Sequence, residues 1–187
     1  SEGQQDALLA ARTLGSIHAP MTLFEVGDFQ CPACRIFFTE TLPKLQEEYI
    51  STGKLKLVFV NFPVPQSHPN APAAHEFAMC AARQDKFWPV HDLLYENQDA
   101  WAPLPDPATY FMGLADSAGV DRSELQGCLE SGAVRSLIGT EARMAFDAGV
   151  TSTPSLILGG GLIRGAAPIE ALRPILDSIF VARTEEP

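Results

Sequence analysis

The chain of 187 residues is 46% hydrophobic and 19% charged, and 23 acids against 13 Lys plus Arg leave a formal net charge of -10. A soluble chain of this length buries roughly 70% of its unfolded surface, so disorder is excluded and no metal or disulfide is needed to hold a core together. An acidic chain with no Lys/Arg cluster excludes nucleic acid and anionic lipid surfaces as partners, and no apolar run is long enough to span a bilayer.

Ser1 to Asp6 are polar and carry no basic or apolar leader pattern, so a secretory signal is either absent or already removed. Asp6 to Leu14 carries a short helical pattern that Gly15 ends, the mark of a packing arm. The run Met21-Thr22-Leu23-Phe24-Glu25-Val26 reads as a buried strand with one acid inside it. Gly27-Asp28-Phe29-Gln30-Cys31-Pro32-Ala33-Cys34 follows. Pro32 suits a first helical position, and Phe37, Leu42, Leu45 and Tyr49 recur at helical spacing up to Gly53. This predicts strand, turn and helix, with Cys31 at the helix N-terminus. Leu55 to Val60 is a second buried strand.

From there to about Ala148 only helix signals appear: Ala73 to Gln84, Phe87 to Asn97, Asp106 capping Pro107, Asp121 with Glu124 three residues on, and Val134 to Ala148. Ala102 to Pro107 is a proline-rich loop. Ser155 to Leu158 and Leu162 to Arg164 are strands joined by a turn at Gly159-Gly160-Gly161, and a last helix carries Ile169, Leu172, Leu176 and Ile179, with Pro174 kinking or restarting it. The triple glycine is no phosphate loop, because neither a Lys-Ser/Thr pair nor a helix follows it. The order is β, α, β, a helical block, β, β, α, with no linker and no internal repeat.

Four cysteines stand at 31, 34, 80 and 128. A thiol is a nucleophile as thiolate, and the unpaired amides of a helix N-terminus favour that anion at Cys31. Cys34, one turn on, is placed to resolve a mixed disulfide. Half a zinc site is the competing reading, but it requires a second close ligand pair, and neither the remaining cysteines nor His18, His68, His75 and His91 supply one. Phe87, Trp88 and His91 read as packing of the helical block. Cys80 and Cys128 fall on two different helices, as buried free thiols or as a disulfide. Glu25 is either a buried carboxylate with a role or an acid on the exposed side of its strand. Pro154 reads as an edge or turn proline.

Phe24-Glu25-Val26-Gly27-Asp28-Phe29-Gln30-Cys31-Pro32-Ala33-Cys34, with Lys86-Phe87-Trp88-Pro89-Val90-His91-Asp92-Leu93-Leu94 and Gly149-Val150-Thr151-Ser152-Thr153-Pro154-Ser155, resembles the DsbA-like branch of the thioredoxin fold, over nearly the whole chain from about Gly15. The resemblance implies an α/β thioredoxin fold with a helical block inserted between the second strand and the cis-proline strand. It divides one domain, 1–187, into a thioredoxin core at 15–62 and 149–182, a helical insertion at 63–148 and an N-terminal arm at 1–14.

It implies an extracytoplasmic bacterial protein dithiol-disulfide oxidoreductase, with Cys31 attacking and Cys34 resolving. The Thr153-Pro154 bond is expected cis and facing the site, where the adjacent backbone, with Pro32 and Ala33, meets an extended client peptide. An acid at the place of Glu25 relays protons to the resolving thiol in the family. A basic partner that some relatives place on the next strand is missing, since Leu57 takes the expected position. Cys80 and Cys128 are expected to form a structural disulfide, as in some members.

Neither a cofactor nor a metal is implied. The expected partners are reduced secreted or periplasmic proteins and a membrane quinone-linked reoxidase, for a monomer that is periplasmic or otherwise extracytoplasmic, either free or held by an anchor outside these residues. A reductase or isomerase of the same fold is the alternative. Ala33 lacks the imidazole of strongly oxidising relatives and Thr153 also occurs in isomerases, but the arm is too short for an isomerase's dimerisation module. A chaperone-like or metal-binding module using the same groove would show no turnover.

Overall fold

The computed structural model describes residues 2–184; Ser1, at the head of the expected arm, and residues 185–187, at the end of the expected domain, lie outside the described residues. Helix α1 (Glu2–Ala11) leads into a two-residue strand β1 (Thr13–Leu14), so the helical pattern expected from Asp6 to Leu14 stops at Ala11. Strands β2 (Met21–Gly27) and β3 (Leu55–Asn61) flank a helical run. Helices α4 (Ala71–Ala82), α5 (Phe87–Glu96), α6 (Gln98–Trp101), α7 (Ala108–Ala118), α8 (Arg122–Ser131) and α9 (Arg135–Asp147) follow, then strands β4 (Ser155–Leu158) and β5 (Gly161–Arg164) and helix α10 (Ile169–Thr184), which continues through Pro174.

The run after β2 opens with α2 (Pro32–Ile36), widens into a π turn at Phe37–Thr41, resumes as α3 (Leu42–Leu45) and widens again at Gln46–Ile50. Pro43 gives a physical reason for the first widening, since a proline inside a helix has no N-H to offer the preceding turn and crowds its carbonyl. The buried stripe survives, with Phe37, Leu42, Leu45 and Tyr49 all buried.

The sheet order is β1-β3-β2-β4-β5, with β2 and β3 parallel and the other pairs antiparallel. This is the thioredoxin arrangement with the helical insertion between β3 and β4. Alternation assigns the two faces. Met21, Leu23, Leu57, Leu156 and Leu158 pack with Phe37, Leu45, Leu172 and Leu176, while Phe59 joins the core of the helical insertion. On the other face Val26 meets Ala145 of α9 and Val150. Gly159 and Gly160, at φ 56° and 81°, supply the left-handed pair that a two-residue hairpin needs. Asp121 caps α8, its carboxylate accepting from the Glu124 amide at 2.9 Å. Among the described residues no helix is long and apolar enough to cross a membrane.

Candidate active site

β2 delivers the chain to the carboxyl end of the sheet at Gly27, where a Cβ would stand 2.8 Å from the Phe59 ring, so a larger residue would push that ring aside. The next four residues turn into α2, and their backbone groups are satisfied from several elements. The Asp28 amide donates to Cys34 Sγ at 3.5 Å and the Phe29 amide to His75 Nε2 at 3.4 Å. The Gln30 amide donates to Asp28 Oδ1 at 2.8 Å, and the Cys31 amide to the Asp28 carbonyl at 3.1 Å. Gln98 of α6 donates to the carbonyls of Phe29 and Cys31 at 2.8 and 3.1 Å. The Gln30 side chain spans the amide of Asn70 and the carbonyl of Ala102. The helical insertion thus clamps the turn that carries both thiols.

Cys31 and Cys34 are free thiols, 6% and 0% exposed. The Cys31 thiol is lowered from 9 to about 6. The neighbouring Cys34 thiol contributes most, burial opposes it, and Thr153 and the amides of Cys34 and Ala33 lower it further. Cys31 is the N-cap of α2 but makes no full cap hydrogen bond, so those amides act as aligned dipoles. Cys34 is pushed the other way, well above the ordinary thiol value, by burial first and then by Cys31, with Glu25 adding to the effect and the Asp28 amide opposing it. One sulfur is ready as thiolate near neutral pH; the other holds its proton.

Glu25 is fully buried, so the exposed-side alternative is set aside. Its strand neighbours are Phe59 on β3 and Leu156 on β4, and neither carboxylate oxygen has a partner among the described residues. Burial raises it from 4.5 to about 8. The register corrects one reading: Leu57 pairs with Leu23, and the residue across from Glu25 on β3 is Phe59, still without a base. Cys31 Sγ donates to the Thr153 carbonyl at 3.4 Å, and the Thr153-Pro154 bond is cis. Pro154 is buried, Thr153 half-buried, and Thr151 and Ser152 are exposed beside it; Pro32 is exposed and Ala33 half-buried. The structure therefore gathers Cys31, Cys34, Glu25, Thr153, Pro154, Pro32 and Ala33 at one corner.

Cys80 and Cys128 lie apart from them, bonded to each other and tying α4 to α8. They border a cavity of about 360 Å³ lined also by Arg83 and Glu124. His91 is buried among Phe29, Phe38, Phe59, Phe87, Trp88 and Tyr95, with Nδ1 on Asp92 at 2.8 Å. Burial lowers its basicity, and lowers His75 from 6.5 to about 4.

Sequence reasoning gave no role to Asp28, His68, Asn70, His75, Tyr95 or Gln98. Asp28 carried a signal, since an aspartate directly after a strand-ending glycine is a turn former that binds the amide two residues on. Gln98 carried none, standing on a four-residue helix far along the chain.

Comparison with known proteins adds four findings. A thioredoxin family profile matches residues 9–178. The chain is 31% identical over 153 residues to a probable disulfide bond formation protein D of Bacillus cereus, covering 81% of this chain and 71% of that protein. It is 42% identical over 87 residues to the corresponding probable protein of Bacillus anthracis, a match spanning 46% of this chain and 40% of that one. The crystal structure of oxidised BdbD from Bacillus subtilis superposes with a TM-score of 0.82 at 23% identity, over 91% of this chain and 92% of that one, a likeness of fold.

Proposed function

The chain belongs to the DsbA-like branch of the thioredoxin family and is a thiol-disulfide oxidoreductase acting on thiol-containing proteins, and on that footing we propose that it works as an oxidase through the Cys31-Cys34 pair. The observation that carries this reading is the opposed displacement of the two thiols, Cys31 down to about 6 and Cys34 well up.

A client thiolate attacks Cys31 Sγ of the oxidised pair. The client-Cys31 bond forms, the Cys31-Cys34 bond breaks, and its electron pair leaves on Cys34. Glu25, protonated at neutral pH by its burial, gives Cys34 a proton and takes it back when the pair is re-formed. The client's second thiolate then attacks the client sulfur, closing the client disulfide and releasing Cys31 as its stabilised thiolate. Two electrons have passed to the pair, and a membrane quinone-linked reoxidase removes them.

The client strand lies along the backbone at Thr153 and the cis Pro154, over Pro32 and Ala33. Reduced secreted or periplasmic proteins are the clients of a monomer in an extracytoplasmic compartment. Residues 15–62 and 149–182 are its catalytic core, 63–148 the insertion that clamps it and 1–14 an arm; Cys80-Cys128 is a structural tie.

A reductase or isomerase direction has one observation in its favour: nothing cationic faces Cys31 from Pro32-Ala33, and Glu25 adds negative charge when ionised. Paired assays on a reduced unfolded secreted protein and on a disulfide-bonded test protein decide. Faster oxidation of the first supports the oxidase; faster reduction of the second moves the assignment, and no turnover of either leaves a binding module.

A further inference from the structure

Cys34 must leave as a thiolate when a client takes Cys31, and it is fully buried, where an unsolvated anion is costly. Glu25 can supply a proton but is itself an acid without a hydrogen-bond partner. Among the described residues a backbone N-H, that of Asp28, donates to Cys34 Sγ at 3.5 Å.

The peptide group that carries this N-H is held by the side chain of its own residue. Asp28 is fully buried, and both of its carboxylate oxygens are engaged. Oδ1 accepts the Gln30 amide at 2.8 Å, and Oδ2 accepts the Val64 amide at 2.8 Å and faces His68 Nδ1 at 2.9 Å. The Asp28 carbonyl is fixed as well, accepting from Cys31 N at 3.1 Å and Tyr95 Oη at 3.4 Å. Two further bonds, from Phe62 N to the Gly27 carbonyl at 3.0 Å and from Asn70 N to Gln30 Oε1 at 2.7 Å, complete the seam between the thiol-bearing turn and the segment after β3. A turn that needed only to change direction requires the Oδ1 contact alone. The Oδ2 contacts anchor it to a second segment, and His68, whose side chain is 20% exposed, closes that anchor from the surface side.

We propose that Asp28 and His68 are positioning residues for Cys34: the Asp28 N-H receives the departing Cys34 thiolate, and the His68-Asp28 contact keeps that N-H aimed at the sulfur. The assignment rests on Cys34 being the resolving thiol, and by microscopic reversibility it holds for either direction of electron flow. The step is the one given above, the electron pair of the Cys31-Cys34 bond passing to Cys34 Sγ as the attacking thiolate bonds to Cys31 Sγ.

The test uses the oxidised protein with dithiothreitol as attacking thiol, comparing wild type, His68→Ala and His68→Asn by stopped-flow. Asparagine places its Nδ2 where the ring Nδ1 stands. A weakened hydrogen bond to a charged group predicts that His68→Ala is reduced about tenfold more slowly and that His68→Asn recovers most of the rate. In a Cys34→Ser background, the rate of Cys31 alkylation is expected to be the same with and without His68→Ala, because the anchor serves the other sulfur. Equal rates for wild type and His68→Ala, failure of asparagine to restore the rate, or parallel loss of Cys31 alkylation would each overturn the assignment while the oxidoreductase reading stands. A wild-type protein that does not exchange with dithiothreitol would overturn that reading and this assignment together.

Discussion

Cys31 and Cys34 stand three residues apart where β2 turns into α2, whereas Cys80 and Cys128 are 48 residues apart on α4 and α8 and are bonded to each other. Exposure does not separate the pairs, because the four residues are 6%, 0%, 1% and 6% exposed. Their neighbours do. The close pair has the Cys34 thiol and aligned amides beside Cys31, a buried acid beside Cys34 and a clamp of side chains from α4 to α6. The distant pair has two helices to hold together. Thiol chemistry is therefore set by which groups stabilise the departing sulfur, and burial alone predicts none of it.

The sharpest way to break that comparison is to remove the attacking sulfur of the first pair and, separately, the whole of the second bond. Cys31→Ser is expected to lower thiol exchange by at least about a thousandfold, as loss of a nucleophile does. Replacing Cys80 and Cys128 together by Ala should leave exchange within about threefold. It should cost about 4 kcal/mol of unfolding free energy, from the loop the bond closes, measured by urea titration. Equal losses of exchange from both changes would dissolve the distinction. Cys34→Ser should retain Cys31 reactivity yet accumulate mixed disulfides with clients, visible on non-reducing gels, since the resolving sulfur is gone.

A smaller effect sharpens the role of the buried acid. Glu25→Gln is expected to slow Cys34-dependent steps about a hundredfold near neutral pH, the low end for loss of a positioned acid-base group. Its stability has a sign as well. Glu25 is raised to about 8 in the fold, so the stability linked to its proton is present below about pH 4.5 and is lost as pH rises through 8. Thermal unfolding of wild type should therefore weaken between pH 5 and 9 more than that of Glu25→Gln. His75, lowered to about 4, works oppositely, its contribution being lost as pH falls from 6.5 through 4 in both proteins. The smallest shift to measure is in the reduced protein, where Cys31 alkylation should rise with a midpoint near pH 6 while Cys34 stays unreactive.

Much of this corner was legible because its signals are local. A β-prone run, a glycine, a Cys-Pro-x-Cys step and a helical stripe lie within thirty-odd residues, and each constrains the next. The hairpin at Gly159 and Gly160 was legible for the same reason. Features set by distant partners were not. β1 has two residues, and only its pairing with Val58 and Leu57 distinguishes it from the end of α1. The first π turn after α2 follows from Pro43, whose effect on the preceding turn depends on packing that periodicity does not report. The cross-strand neighbour of Glu25 needed the register, and the clamp through Gln98, His75 and Asn70 needed tertiary contacts across the helical insertion.

The most direct test equilibrates the protein in glutathione buffers of graded potential and counts the thiols of each pair by mass. A Cys31 thiolate favoured by the Cys34 thiol and by amides, but by no cationic side chain, should place the Cys31-Cys34 potential between about -120 mV, a strong family oxidant, and about -270 mV, thioredoxin. Cys80-Cys128, held between packed helices, should remain bonded at potentials that already open the first pair. A Cys31-Cys34 potential at or below that of thioredoxin, or a Cys80-Cys128 bond that opens first, would contradict the account.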